Sequence, residues 1–195
     1  MTAEVGYRNY EAHNARFNTG LTVFQVLLEQ GLTSDSRLCD VGCGSLRVGR
    51  YLITHLEHGL YYAIEPQQWL IDNAIEHEIG TLAIVKEAHI DVGREDFDIA
   101  ASFPGVEFDF VLIASVLAHA SHDQMRQALT SASQTSKVCV FDTVPNGSPD
   151  NTGGWQYPQV ASHYDECVLA ACDGLSKQLT KLALGQFGEQ WWRLE

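Results

Sequence analysis

Leu38-Cys39-Asp40-Val41-Gly42-Cys43-Gly44-Ser45-Leu46-Arg47-Val48-Gly49 predicts a buried strand, a tight glycine turn and then a helix. An apolar run closed by an acid and two near-adjacent glycines is how a parallel sheet offers the end of its first strand to a ligand. Gly42 and Gly44 let the backbone bend sharply and let a ligand approach without meeting a side chain. The helix that follows supplies free N–H groups and a partial positive charge.

On either side of this stretch, strands and helices alternate. Upstream, Leu21, Phe24 and Leu28 mark one face of a helix that Gly31 ends. Downstream, Val48, Leu52 and Leu56 carry the next helix, and Leu60 to Ile64 a second strand. Glu65 and Pro66 open a helix whose inner stripe is Leu70, Ile71, Ala74 and Ile75. A third strand falls either at Ile84 to Ala88 or at His89 to Val92. Phe108 to Ala114 is a nearly continuous apolar run, as in a strand covered on both faces. Ser121 and Gln124 form a capping-box pattern before a helix buried through Met125, Ala128, Leu129 and Ala132. Val138 to Thr143 is the fifth strand. A helix from Tyr164 to Cys172 stops at Gly174, and Leu175 to Leu184 and Gln190 to Leu194 close the chain as a strand pair. Trp191 and Trp192 alternate, which places one in the core and leaves the other exposed or against a helix. The alternation predicts an α/β fold: a Rossmann-like, doubly wound, mostly parallel sheet with an antiparallel last strand.

At 195 residues the chain fits one domain over 1–195, with an N-terminal helical segment at 1–36. Pro145 to Pro158 is rich in Gly, Pro, Asn and Ser, and residues 144–164 are expected to fold over a substrate as a lid, with Trp155 and Tyr157 in it. The formal net charge of -13 argues against nucleic acid as a partner, because phosphate neutralisation needs clustered Lys and Arg. No apolar run approaches the roughly 20 residues of a membrane-spanning helix, and Met1 to Tyr10 is polar, without an apolar signal region. The five cysteines are odd in number and lack metal-type pairing, which fits a reduced cytoplasmic protein.

Candidate site residues lie at four predicted strand ends: Asp40 with the glycine turn, Glu65, the Asp96-Phe97-Asp98 region, and Ser115. Glu65 stands about 20 residues past the glycines, where an acid hydrogen-bonds ribose hydroxyls. A carboxylate there also suits the start of a helix, but that alternative leaves the upstream glycine turn unexplained. The dinucleotide pattern G-x-G-x-x-G would need its third glycine at Arg47, which weakens an NAD or FAD reading, and the Walker pattern is absent.

The sequence Asp40-Val41-Gly42-Cys43-Gly44 resembles motif I of class I S-adenosylmethionine-dependent methyltransferases. Ile64-Glu65-Pro66 resembles the acidic post-motif of that family, and Phe108 to His119 its fourth strand and following segment. The first half is similar to a small bacterial branch of the family. The resemblance implies S-adenosylmethionine (SAM) as cofactor. It implies that Gly42, Cys43 and Gly44 lie against the methionine part, with Asp40 ordering the turn or reaching the amino group through water. Glu65 is implied at the ribose, Pro66 beside the adenine, Asp96 and Phe97 at the adenine edge and face, and Ser115 at the methyl-transfer edge. Many members carry a third glycine where this chain has Leu46, whose side chain is expected to crowd the cofactor's carboxyl end.

Methyl transfer from a sulfonium needs orientation and exclusion of water more than acid or base. His119, His122, Asp142 and His163 are the candidates if a base is needed. His119, His122 and Asp123 are too close in sequence to converge on a metal, so no metal site is assigned. His163 and Tyr164 either face substrate or cap the last helix. Cys43 has no nearby base and reads as a small filler of the turn. The sequence Ser115-Val116-Leu117-Ala118 replaces the D/N/S-P-P-Y/F/W signature of amino-methylating DNA enzymes. The resulting expectation is a methyltransferase acting on a small-molecule acceptor. A non-catalytic SAM- or nucleotide-binding partner protein and an NAD-linked oxidoreductase are the alternatives.

Overall fold

The computed structural model describes residues 19–143, 165–185 and 188–195. The lid assigned to 144–164, and His163 within it, lie outside the described residues, as do the first 18 residues of the N-terminal segment. The chain divides into two compact units, residues 1–93 and 94–195.

In the first unit, α1 (Thr19–Glu29) precedes β1 (Leu38–Val41), α2 (Gly49–His55), β2 (Tyr61–Glu65), α3 (Gln68–Ala74), α4 (Leu82–Val85) and β3 (His89–Val92). A π-helical turn, Ile75–Ile79, prolongs α3. The strands pair in the order β3-β2-β1, all parallel, with Asp40 opposite Ala63 and Glu65 opposite Val92. All four residues of β1 are buried, as the apolar run requires.

The α1 core face differs from expectation by one position. Val23 and Leu27 are buried and Leu28 is 40% exposed. The register is set by Gly20, where an added Cβ would stand 2.3 Å from the carbonyl oxygen of Arg47. Only a glycine lets α1 lie that close to the turn after β1. Gly31 ends the helix in the left-handed region (φ +96°), and Leu32 N–H returns to the Leu27 carbonyl at 3.0 Å. In α2, Leu52 and Ile53 are buried, whereas Val48, just before the helix, is half-buried. In α3, Leu70, Ile71 and Ala74 are buried, but Ile75 is 38% exposed because the π turn rotates it off the stripe. The helix starts at Gln68, later than the Glu65-Pro66 start expected. The third strand is His89–Val92, and the Ile84 alternative is helical.

In the second unit the order is α5 (Ile99–Ser102), β4 (Phe108–Ile113), α6 (His122–Thr135), β5 (Ser136–Thr143), α7 (Asp165–Cys172), β6 (Leu179–Leu184) and β7 (Gln190–Leu194). Strands pair in the order β4-β5-β7-β6, with β4 and β5 parallel and β7 antiparallel to both neighbours. The capping box at Ser121 and Gln124 forms as the sequence predicts, and Met125, Ala128, Leu129 and Ala132 are buried. Trp191 and Trp192 are both buried, at 1% and 3% exposure. They face opposite sides of a covered strand: Trp192 stacks on Phe141 and donates through Nε1 to Thr143 Oγ1 at 2.9 Å. Parallel strands flanked by helices in each unit, with β7 antiparallel, give the expected Rossmann-like, doubly wound, mostly parallel α/β fold. Among the described residues no helix is long and apolar enough to cross a membrane.

Candidate functional site

The turn after β1 hangs on the end of β2. Gly42 N–H and Cys43 N–H both donate to the carbonyl of Ile64, at 2.8 and 3.2 Å. Gly44 N–H donates to Glu65 Oε2 at 2.9 Å, and Gln67 N–H to Glu65 Oε1 at 3.0 Å. Gly42 and Gly44 have φ of +73° and +57°, the left-handed values that favour glycine. The amides of the turn are therefore directed to β2, and one buried carboxylate ties together the two features the sequence singled out. Glu65 is 4% exposed, and burial raises its carboxyl while the Gln67 and Gly44 amides draw it down. Each of its oxygens carries one of these N–H donors, and a carboxylate oxygen accepts two. Pro66 is half-buried at the bend where the chain stays extended to Gln67 before α3 begins.

Leu46 does not crowd the turn. Its backbone takes the left-handed conformation (φ +57°), which suits the glycine common at this position. Its side chain is fully buried beside Gly49. The cost of about 1 kcal/mol for a left-handed leucine is offset by roughly 1.5–3 kcal/mol from burying the side chain.

Asp40 is 3% exposed and accepts a hydrogen bond on Oδ2 from the phenol of Tyr61 at 3.0 Å. Burial pushes its carboxyl up to about 7; the Tyr61 hydroxyl works against that rise, nearby Glu65 adds to it and Arg47 opposes it. Burial first, then the negative charges of Asp40 and Glu65, push the Cys43 thiol well above its ordinary value, so it is a neutral filler of the turn and not a nucleophile. The sequence reading missed Tyr61; a tyrosine opening a buried strand signals a buried hydroxyl in need of a partner.

The second unit places the remaining candidates. Asp96 is exposed, with Arg94 Nη1 at 3.0 and 2.9 Å from its two oxygens and Asp98 N–H at 3.2 Å from Oδ1. The Asp98 amide and then the Arg94 guanidinium hold its carboxyl below the usual value. Phe97 is half-buried with φ +54°, and Asp98 caps α5 by accepting from Ala101 N–H at 3.0 Å. Ser115, exposed at the end of β4, is also left-handed (φ +59°), and its N–H donates to Asp142 Oδ1 at 2.6 Å. Asp142 is 5% exposed; burial pushes it up to about 7, opposed by that amide. It is thus a clamp on Ser115. His119 ends a short 3-10 turn, half-buried, and His122 is exposed at the start of α6. No group of three or more His, Cys, Asp or Glu among the described residues is placed to hold a metal ion.

No protein-family model matches the chain, and no curated protein matches it in sequence. Solved structures match it in fold. Magnesium protoporphyrin IX methyltransferase (ChlM) from Synechocystis PCC 6803 with bound SAM aligns over 90% of this chain and 77% of its own, at TM-score 0.66 and 12% identity. The DhpI complex with S-adenosylhomocysteine (SAH) aligns over 96% and 90%, at TM-score 0.65 and 12% identity. A TehB-like SAM-dependent methyltransferase from Corynebacterium glutamicum aligns over 98% and 95%, at TM-score 0.61 and 14% identity. The fold is that of class I SAM-dependent methyltransferases. In this methyltransferase fold Asp40 lies on β1 and Glu65 ends β2, joined through the turn. Ligands of open α/β sheets lie beyond such strand ends.

Proposed function

We propose that the protein is a SAM-dependent methyltransferase acting on a small-molecule acceptor. The observation that carries the reading is the 2.9 Å bond from Gly44 N–H to Glu65 Oε2, which makes one unit of the glycine turn and the acid of β2. That geometry occurs in a fold whose solved examples include proteins with SAM or SAH bound.

The donor and acceptor set fits the cofactor. Glu65 keeps acceptor capacity for a pair of ribose hydroxyls, and the buried carboxylate of Asp40 suits an ammonium group. Gly42, Cys43 and Gly44 stand for the methionine part and Pro66 for the adenine side. On the second unit the family resemblance assigns Asp96 and Phe97 to the adenine and Ser115 to the methyl-transfer edge. When bound, SAM supplies an electrophilic methyl group on a good sulfonium leaving group. The chain's own contribution is to orient and to exclude water. Asp142, occupied in holding Ser115, serves as a positioning residue in this reading.

The acidic charge and the Ser115-Val116-Leu117-Ala118 segment favour a small acceptor over a nucleic acid. Five free cysteines fit a reducing, cytoplasmic setting. Calorimetric titration with SAH tests the reading. Binding by the wild type, weakened at least tenfold by Glu65→Ala, is the expected result; a wild type that takes SAH no better than NADH would overturn it.

A further inference from the structure

Asp40 and Tyr61 form a buried pair that the glycine turn alone does not require. Tyr61 is 1% exposed, and a phenol so buried must find an acceptor or lose about 1–3 kcal/mol. Its acceptor is Asp40 Oδ2, at 3.0 Å. The hydroxyl lies against Gly49: a Cβ added there would stand 2.7 Å from Tyr61 Oη and 2.9 Å from Leu46 Cδ2. The absence of a side chain at Gly49 is thus what admits the phenol beside Leu46. The Tyr61 bond fixes the carboxylate of Asp40 and leaves it further acceptor sites for a second donor.

We propose that Tyr61 is a positioning residue for the amine-bearing end of the cofactor, fixing the Asp40 carboxylate that receives the ammonium group. This rests on the SAM reading above. The groups that interact with Asp40 are Tyr61 and Glu65 from β2, and Cys43 and Arg47 from the turn. Burial and then the nearby Asp40 charge push the Tyr61 phenol well above its ordinary value, so it remains a neutral donor at working pH. Burial raises Asp40 and the phenol's hydrogen bond restrains the rise, so removing the phenol raises the pH at which Asp40 ionises. An arriving ammonium favours the ionised form, so cofactor binding is linked to release of a proton from Asp40 below about pH 7.

The experiment is calorimetric titration with SAH from about pH 6 to about pH 8.5, in two buffers of different ionisation enthalpy. The wild type is expected to bind more tightly as pH rises to about 7 and to release a large fraction of a proton at about pH 6. Tyr61→Phe keeps the ring and its packing. It is expected to bind about fivefold more weakly at pH 7 and to return within about twofold of wild type by about pH 8.5, since loss of a charge-assisted hydrogen bond raises a carboxyl by about one unit. Asp40→Asn is expected to abolish both the proton release and the pH dependence. A Tyr61→Phe loss that is the same at every pH, no loss at all, or proton release surviving in Asp40→Asn would overturn the proposal. Wild-type protein that fails to bind SAH at any pH overturns the methyltransferase reading itself, and the Tyr61 role with it.

Discussion

Ser115 N–H donates to Asp142 Oδ1 at 2.6 Å, and this bond holds a non-glycine residue in the left-handed region at φ +59°. The end of β4 is thus fixed by a carboxylate buried near the end of β5. Asp142→Ala is expected to destabilise the protein by about 1–3 kcal/mol, because the amide loses its acceptor. Asp142→Asn keeps an acceptor for the Ser115 amide and is expected to be the more stable of the two variants. Urea unfolding of the two variants checks the order, and equal losses would count against the clamp.

Asp40 and Asp142 are both pushed up to about 7 by burial, above the ordinary carboxyl value near 4. The folded state therefore holds more protons than the unfolded one between about pH 4 and pH 7. Stability contributed by these groups is present below that window and falls as pH rises through it. Asp40→Asn is expected to gain about 1–3 kcal/mol over wild type above pH 7 and to match it near pH 4. Thermal unfolding across pH measures the difference between the two proteins. A variant less stable than wild type at pH 8 would contradict the assignment.

Leu46→Gly relieves a left-handed backbone but removes a fully buried side chain. Packing outweighs strain, so a net loss of about 1–3 kcal/mol is expected. Chemical denaturation of the variant decides it; a gain in stability would mean that the side chain contributes less than its burial implies.

Gly20→Ala places a methyl group 2.3 Å from the Arg47 carbonyl oxygen, inside contact distance of backbone. Either α1 or the turn must move. The expected loss is about 1–3 kcal/mol, read as a lowered melting temperature. A variant as stable as wild type would show that α1 can shift at little cost.

Much of this was legible in the sequence because periodicity and turn chemistry are local. The glycine turn, the Ser121 capping box and the continuous apolar run of β4 each announce themselves within a few residues. What escaped was set by tertiary contacts. The core face of α1 follows from Gly20 meeting Arg47, and the exposure of Ile75 from a π turn that no local pattern marks. Both tryptophans of β7 are buried because each side of the strand is covered, which alternation alone does not reveal. At the site, the residue types at β1 and β2 were readable, but their partners were not. Tyr61 pairs with Asp40 across 21 positions and Ser115 with Asp142 across 27. Leu46 was misread as an obstruction because its backbone conformation, which turns the side chain into the core, is invisible in composition.

The link between Glu65 and Gly44 runs from a side chain to a main-chain amide. An amide is the same whichever residue bears it, so substitutions at Cys43 or Ser45 are limited by space in the core and not by this bond. Apart from Gly42 and Gly44, whose backbones are left-handed, letters around the turn can therefore change while the bond that fixes its shape endures.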